Sequence, residues 1–215
     1  MKLQYNKQGC TDLIVYFAGW GTPPSVVQHL DNANKYDLLI CYDYQDLVLE
    51  FDFSPYQNIY LVAWSMGVWV AEQVMQNVPL TKAVAINGTS YPRHDQFGIS
   101  EAIFDGTLAG LDQSNRHKFE RRMCQSKALL AEYQSLADYR ELDNIYQELA
   151  CLSQYIRQLP PKKEFHWDIA WIGLQDRIFP AENQLAYWQD RSQIRTIEAG
   201  HYLLPLFQQW EALWY

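Results

Sequence analysis

Short, continuous apolar runs recur along the first 90 residues of the chain. Each run is rich in strand-forming residues and is bounded by polar segments, which predicts buried strands of a parallel sheet. The predicted strands cover residues 12–18, 37–42, 59–64 and 83–87, with a short edge strand at 2–6. Apolar residues at helical spacing predict helices over residues 25–32 and from residue 68 onward. This alternation of strands and helices predicts an α/β fold.

Between residues 91 and 165 the alternation is interrupted by a segment with helical periodicity. The elements predicted after it are strands at residues 167–172 and 193–197 and helices at 181–189 and 203–214. We therefore divide the chain into a core of residues 1–90 and 166–215 and a helical lid insertion of residues 91–165. Ordinary packing helices would give the same apolar pattern, so both interpretations of the insertion stay open.

A serine lies at the corner between the apolar run 59–64 and the helix that follows it. Ala63 and Gly67 flank Ser65 two positions away on either side, and the tight turn needs small residues there. This is the pattern of a nucleophile elbow, which pushes the serine hydroxyl out above the sheet edge. A serine that caps the helix is the alternative, but the position between a buried strand and an apolar helix favours catalysis.

A serine nucleophile needs a base, and the base needs an acid to orient it. Among the five histidines, only His201 lies in the loop after the last predicted strand. Asp176 lies in the loop after the second-last strand. Since elbow hydrolases use the chain order Ser, Asp, His, we predict a triad of Ser65, Asp176 and His201. Taken singly, Asp176 also fits a turn residue and His201 a surface histidine.

Two backbone N–H groups are expected to stabilise the negative charge that develops on the substrate. One should belong to Met66, directly after Ser65. We assign the other to Trp20, because Gly19 and Gly21 let the backbone of that loop approach a substrate. A tight turn around a packed tryptophan is the alternative for this loop.

Composition and charge exclude several function classes. The chain has 215 residues, 48% of them apolar, and a net charge of −8, which argues against general binding to nucleic acid or anionic membranes. No apolar stretch approaches the ~18 residues of a membrane span, and residues 1–10 predict no secretory signal. The four cysteines are far apart and indicate reduced thiols of a cytoplasmic protein. No cluster of ligating residues predicts a metal.

The motifs described above resemble the α/β-hydrolase superfamily over nearly the whole chain outside residues 91–165. More narrowly, they resemble the BioG type of pimeloyl-acyl-carrier-protein methyl ester esterases of biotin synthesis. The motifs are Gly19-Trp20-Gly21, Trp64-Ser65-Met66-Gly67, Gly173 with Asp176, and Gly200-His201. The implied architecture is the α/β-hydrolase fold, a mostly parallel sheet flanked by helices with a helical lid insertion.

The resemblance implies a serine esterase that hydrolyses the methyl ester of a pimeloyl chain carried on acyl carrier protein and releases methanol. Ser65 would attack the ester, and His201 would then activate water. No cofactor and no metal are implied. The alternatives are a general carboxylesterase or thioesterase of another small acyl substrate, a cofactor-free haloperoxidase, or a non-catalytic binding protein on a hydrolase scaffold.

The implied partner, acyl carrier protein, is strongly acidic, so a chain of net charge −8 would need a local positive surface to bind it. The densest basic stretch lies in the insertion and carries one acid, Glu120. Its cations are Arg116, Lys118, Arg121, Arg122 and Lys127. We predict that the first four form the docking surface; a solvated helix face is the alternative. We expect a monomer, with no binding of nucleic acid or membrane.

Overall fold

Seven strands form one twisted sheet in the computed structural model, which describes residues 1–162 and 164–215. The strands are β1 (Lys2–Asn6), β2 (Asp12–Phe17), β3 (Tyr36–Tyr42), β4 (Asn58–Trp64), β5 (Lys82–Ile86), β6 (Ile169–Gly173) and β7 (Gln193–Ile197). Their order is β1-β3-β2-β4-β5-β6-β7. Every neighbouring pair is parallel except β1 with β3. The predicted mostly parallel α/β sheet is confirmed.

The carboxyl ends of the parallel strands meet at one edge of the sheet. Phe17 at the end of β2 pairs with Ala63 of β4, and Trp64 pairs with Ile86 of β5. The central strands are buried on both faces, which explains why their sequences are continuously apolar instead of alternating between apolar and polar residues. Loops that follow these strands therefore open on the same side of the molecule, where ligands bind in sheets of this kind.

Six α-helices accompany the sheet in the described part of the chain. Two of them follow core strands: α1 (Met66–Val74) and α6 (Ala181–Trp188). The other four lie between β5 and β6 and are called the cap helices: α2 (Glu101–Ala109), α3 (Gln113–Cys124), α4 (Lys127–Gln134) and α5 (Leu142–Gln158). Ile145, Leu149 and Leu152 are buried along one face of α5, as the helical spacing of apolar residues in the sequence predicts.

The helix predicted over residues 25–32 is wrong, because only a short 3₁₀ helix, Pro24–Val27, forms there. Beyond it the backbone of Asp31 leaves helical geometry and pairs with another segment. Its amide donates to the Gln208 carbonyl at 2.9 Å, and its carbonyl accepts from the Trp210 amide at 3.1 Å. These bonds across the molecule replace the intrahelical bonds that a continued helix would need.

The closing helix predicted over residues 203–214 is also wrong. Two short 3₁₀ helices, Leu204–Leu206 and Trp210–Leu213, lie there instead. The backbone bonds of Gln208 and Trp210 to Asp31 hold the chain extended around Gln209, which a continuous helix does not allow. The apolar residues that suggested a helix are nevertheless buried: Leu203, Leu204, Phe207, Trp210, Leu213 and Trp214.

No helix among the described residues has the length and apolar character that crossing a membrane requires. The four cysteines are free thiols, and Cys41 and Cys124 are buried.

Candidate active site

Ser65 occupies a strained corner between β4 and α1. Its φ of 59° and ψ of −123° lie in a region that non-glycine residues rarely adopt. Its amide donates to the Ile86 carbonyl at 2.8 Å, which fixes the corner to β5. A side chain at Gly67 would place its Cβ 2.5 Å from the Phe17 carbonyl oxygen, so only glycine lets α1 begin this close to β2. The predicted elbow geometry is present.

The structure brings Ser65, His201 and Asp176 together in one hydrogen-bonded line. His201 Nε2 lies 2.9 Å from Ser65 Oγ, and His201 Nδ1 lies 2.8 Å from Asp176 Oδ2. All three residues are buried. With its proton on Nδ1, a neutral imidazole donates to Asp176 and leaves Nε2 free to accept the serine proton. The arrangement is suited to making Ser65 a nucleophile.

Asp176 is held by donors from its own loop and from α6. The Ile178 and Phe179 amides donate to Oδ1 at 2.8 and 3.0 Å. The Gln184 side-chain amide donates to Oδ2 at 3.1 Å. The Phe179 ring also lies parallel to the His201 ring, with 6.3 Å between centroids. These contacts fix the carboxylate so that Oδ2 faces the imidazole.

Asn87 joins the loops that carry the acid and the base. Its Nδ2 donates to the Gly200 and His201 carbonyls at 3.0 and 2.9 Å, and its Oδ1 accepts from the Gly173 amide at 2.8 Å. The sequence analysis missed both Asn87 and Gln184 as site residues. A polar residue directly after a buried strand was a usable signal for Asn87, whereas nothing in the pattern of α6 marks Gln184.

The two predicted oxyanion donors lie at the same pocket as the serine. Met66 is the first residue of α1, so its amide has no partner inside the helix. Trp20 lies in the turn after β2, and within the described residues its amide has no backbone acceptor. Both residues line the pocket that contains Ser65 and His201. The two N–H groups are therefore available to a substrate oxygen.

The pocket beside Ser65 is mainly apolar, and the cap helices and the core both line it. The cap helices supply Ile103, Phe104, Phe119, Met123 and Leu149, and the other apolar side chains are Trp20, Trp64, Met66, Ile99 and Ile178. Arg122 and Arg177 also line it, and both are largely exposed. A shallower groove continues from it between α2 and α3 and shares Ile103, Thr107, Phe119 and Arg122 with it. The site therefore suits a chain that is apolar near the serine and reaches solvent between these helices.

Asp43, the other carboxylate at a strand's carboxyl end, is committed to other partners. It lies 2.8 Å from Lys2 Nζ and 2.9 Å from Arg140 Nη2. Burial raises the pKa of Asp43, but hydrogen bonds from Lys2, Asn144 and Gln45 together with the charge of Arg140 lower it to about 2. Asp176 is the carboxylate in contact with His201.

Arg116 departs from the predicted docking surface. It is buried, its Nε lies 2.9 Å from Glu120 Oε1, and its guanidinium lies 4.1 Å from the centre of the Tyr139 ring. Positions 116, 120 and 123 share the inner face of α3, so this cation serves packing rather than a partner. Lys118, Arg121 and Arg122 are exposed, and they remain the candidate cations of the predicted surface.

No group of three or more His, Cys, Asp or Glu side chains within residues 1–162 and 164–215 is arranged to hold a metal ion.

The sheet order, the elbow and the loops at the sheet edge define an α/β-hydrolase. An esterase from Exiguobacterium antarcticum superposes with a TM-score of 0.68 over 93% of this chain and 88% of its own, at 14% identity. At that identity the likeness concerns the fold alone.

The chain belongs to the BioG family, described as pimeloyl-ACP methyl esterase BioG, whose model matches residues 1–213. The crystal structure of BioG from Haemophilus influenzae superposes with a TM-score of 0.97 at 49% identity over the full length of both chains. A malonyl-[acyl-carrier protein] O-methyltransferase from Bacteroides fragilis is 42% identical over 204 residues. That match covers 90% of this chain but 41% of the methyltransferase, so the chain corresponds to only part of that longer protein.

Proposed function

We propose that this protein hydrolyses the methyl ester of pimeloyl-acyl-carrier protein by a serine mechanism, giving the free carboxylate and methanol. The observation that carries the proposal is the hydrogen-bonded line Ser65–His201–Asp176 beside two free backbone amides. Membership of the BioG family supplies the substrate class. The methyltransferase relative adds support, because its name describes O-methylation of a malonyl group on acyl-carrier protein, and this esterase would break a methyl ester on a carrier-bound acyl group.

In the first half of the reaction, Ser65 forms the acyl-enzyme. His201 Nε2 takes the hydroxyl proton while Ser65 Oγ bonds to the ester carbonyl carbon. The carbonyl oxygen becomes negatively charged and accepts hydrogen bonds from the Met66 and Trp20 amides. When the intermediate collapses, the carbon–methoxy bond breaks, and His201 returns its proton to the departing oxygen, so methanol leaves neutral.

In the second half, water replaces methanol. His201 removes a proton from the water as its oxygen bonds to the acyl carbon, and the same amides stabilise the second tetrahedral intermediate. Collapse of this intermediate breaks the bond to Ser65 Oγ, which regains its proton from His201. Asp176 keeps the ring in the required tautomer and stabilises the imidazolium in both halves.

The cap helices are proposed to act as the lid over this site and to receive the carrier protein. They supply part of the apolar wall of the pocket, which suits the methylene chain of a pimeloyl group. The groove between α2 and α3 reaches Lys118 and Arg122. A chain lying in it would leave the ester at Ser65 and the thioester outside, next to exposed cations that an acidic carrier would meet.

The test combines active-site labelling with turnover. Ser65→Ala should lower the rate of methanol release from pimeloyl-acyl-carrier-protein methyl ester by about four to six orders of magnitude. A fluorophosphonate probe should label the wild type once and leave the mutant unlabelled. Labelling of Ser25 or Ser90, or a mutant with nearly full activity, would overturn the assignment.

Substrate class needs its own comparison. Carrier-bound methyl esters of different chain length, the matching thioesters and a simple p-nitrophenyl ester should be assayed side by side. We expect the pimeloyl methyl ester to have the highest kcat/KM and its thioester bond to survive. Preference for the thioester or for the simple ester would replace the proposed substrate with a thioesterase or general carboxylesterase activity.

A further inference from the structure

The loop that carries the Trp20 amide is bound to a cap helix as well as to the sheet. Glu148 of α5 accepts a hydrogen bond from the Gly21 amide at its Oε2 and one from the Tyr44 amide at its Oε1, both at 3.0 Å. Glu148 is fully buried. One carboxylate therefore joins the loops after β2 and β3 to the cap.

A second bond reaches the same stretch of α5. The Trp20 indole Nε1 donates to the Ile145 carbonyl at 2.8 Å. On the sheet side, Thr22 Oγ1 donates to the Gly19 carbonyl at 2.7 Å. The Gly19 carbonyl and the Gly21 amide, on either side of the Trp20 amide, are thus hydrogen-bonded, whereas the Trp20 amide has no backbone acceptor in the described part of the chain.

A buried carboxylate has a high desolvation cost unless cations and N–H groups compensate it. Burial raises the pKa of Glu148, and the charge of Arg140 and the Tyr44 and Gly21 amides oppose that rise. Arg140 Nη1 lies 2.6 Å from Glu148 Oε2, and Arg140 also pairs with Asp43. An apolar residue would fill the same space without this desolvation cost. We therefore explain the buried carboxylate by the two backbone amides that it binds.

We propose that Glu148 is a positioning residue of the oxyanion hole: by holding the Gly21 amide, it keeps the neighbouring Trp20 amide aimed at the substrate oxygen. The proposal rests on the proposed function, in which the Trp20 amide stabilises the tetrahedral intermediates. As a consequence, the oxyanion hole forms only when α5 is packed against the core. The cap then contributes to the chemical step in addition to binding.

Glu148→Met separates this role from simple anchoring of the cap. Methionine keeps the length and approximate size of the side chain, but its thioether is only a weak acceptor, so the bond from the Gly21 amide is lost together with the one from the Tyr44 amide. For a p-nitrophenyl ester we expect kcat to fall about 10- to 100-fold, below the loss for complete removal of an oxyanion donor, with KM changed less than about threefold. A residue that only stabilises the fold would lower the melting temperature and leave kcat of the folded fraction unchanged.

Inhibition by an alkylboronic acid gives an independent readout. Its boron bonds to Ser65 Oγ, the serine proton passes to His201, and the negatively charged boronate mimics the tetrahedral intermediate. Transition-state analogues follow transition-state stabilisation. The inhibition constant should therefore rise in Glu148→Met by the same factor by which kcat/KM falls.

Arg157→Gln is the matched control, because it breaks an exposed pair between α5 and α2, Arg157 with Asp105, away from the oxyanion loop. It should keep the kcat and boronate affinity of the wild type. If Glu148→Met does not fold, Trp20→Phe removes only the indole bond to Ile145 and should give a smaller loss of the same kind.

Two outcomes would count against the proposals, and they can be told apart. Folded Glu148→Met, or Trp20→Phe in its place, with the kcat and boronate affinity of the wild type would overturn the positioning role alone. A wild-type protein that cleaves the p-nitrophenyl ester but not the carrier-bound methyl ester would overturn the proposed substrate and leave this role standing.

Discussion

At the scale of single residues, the proposed mechanism depends on how completely the side chains of Asp176 and His201 are fixed. Both oxygens of Asp176 accept hydrogen bonds from donors other than His201, and those donors come from the acid loop and α6. Asn87 fixes the backbone of His201 from a third direction. Rotation of the Asp176 or His201 side chain would break more than one hydrogen bond, so the hydrogen-bonded line from Asp176 to Ser65 is preorganised.

Asp176→Asn should leave the fold intact and lower kcat by roughly four orders of magnitude. The amide can present its NH₂ group to His201 Nδ1, which favours the imidazole tautomer with its proton on Nε2 and leaves Ser65 without a base. Hydrolysis of a p-nitrophenyl ester together with circular dichroism would measure both effects.

Asp43→Asn is the control for the acid, since Asp43 binds Lys2 and Arg140 instead of His201. It should reduce stability more than it changes the chemistry at Ser65. Nearly full activity of Asp176→Asn combined with an inactive, folded Asp43→Asn would assign the acid to the other loop.

The sequence predicted Ser65, Asp176 and His201 because each follows a strand and the strand ends share one edge of the sheet. The topology of the sheet alone is therefore enough to place them close together. Gln184 and Glu148 could not be predicted in the same way, because both lie inside helices. Glu148 lies 127 residues from Gly21, so only three-dimensional packing brings them together; Gln184 lies 8 residues from Asp176, but no feature of the α6 sequence marks it as a partner of that carboxylate.

At the scale of elements, the elbow requires α1 to begin almost in contact with β2. Gly67 is where this approach is closest: an added Cβ would lie 2.5 Å from the Phe17 carbonyl oxygen and 2.6 Å from that of Ala18. Both obstacles are backbone atoms that cannot rotate away. Ala18 leads directly into the oxyanion loop, so strain here would reach the site as well as the fold.

Gly67→Ala should destabilise the protein by about 1–3 kcal/mol, as overpacking of a tight contact does. It should also lower activity in the folded fraction, because α1 and the oxyanion loop would be pushed apart. Urea unfolding with an unchanged m-value would give the change in stability.

Gly106→Ala is the matched control, because Gly106 lies in α2 with no other atom within 4 Å of an added Cβ. There the substitution should stabilise the protein by about 0.5–1 kcal/mol through helix propensity alone. Equal changes in stability for the two variants would show that the close approach at Gly67 does not constrain the fold.

The contrast between α5 and residues 203–214 illustrates which elements the sequence could predict. In α5 the apolar spacing is uninterrupted, and the helix forms over Leu142–Gln158. Residues 203–214 are also rich in buried apolar side chains, but the backbone bonds to Asp31 prevent a continuous helix. Apolar content alone does not distinguish a helix from an extended segment that covers the core; the pairing partner has to be known.

At the scale of the whole molecule, net charge and local charge act in opposite directions. The chain carries −8, which would repel an acidic carrier protein at long range. The exposed cations of α3 lie beside the groove that leads to Ser65. Since Arg116 is paired inside the cap, Lys118, Arg121 and Arg122 form the part of the predicted docking surface that a partner can reach.

Arg121 gives the sharpest test of docking, because it is exposed on α3 and, unlike Arg122, does not line the pocket. Arg121→Glu should raise KM for the carrier-bound methyl ester about 3- to 10-fold at low salt and leave turnover of a p-nitrophenyl ester unchanged. The difference should shrink as salt is added, because screening shortens the Debye length to about 8 Å at physiological ionic strength.

Lys7→Glu makes the same change in net charge at an exposed position of the core, outside the cap helices. If docking is local, Lys7→Glu should have little effect on KM for the carrier-bound ester. Equal increases in the two variants would mean that only the overall charge matters, and no increase in either would mean that the carrier docks elsewhere. A loss of p-nitrophenyl ester turnover in Arg121→Glu would instead assign this arginine to the pocket or to the stability of the cap, because that substrate carries no partner to dock.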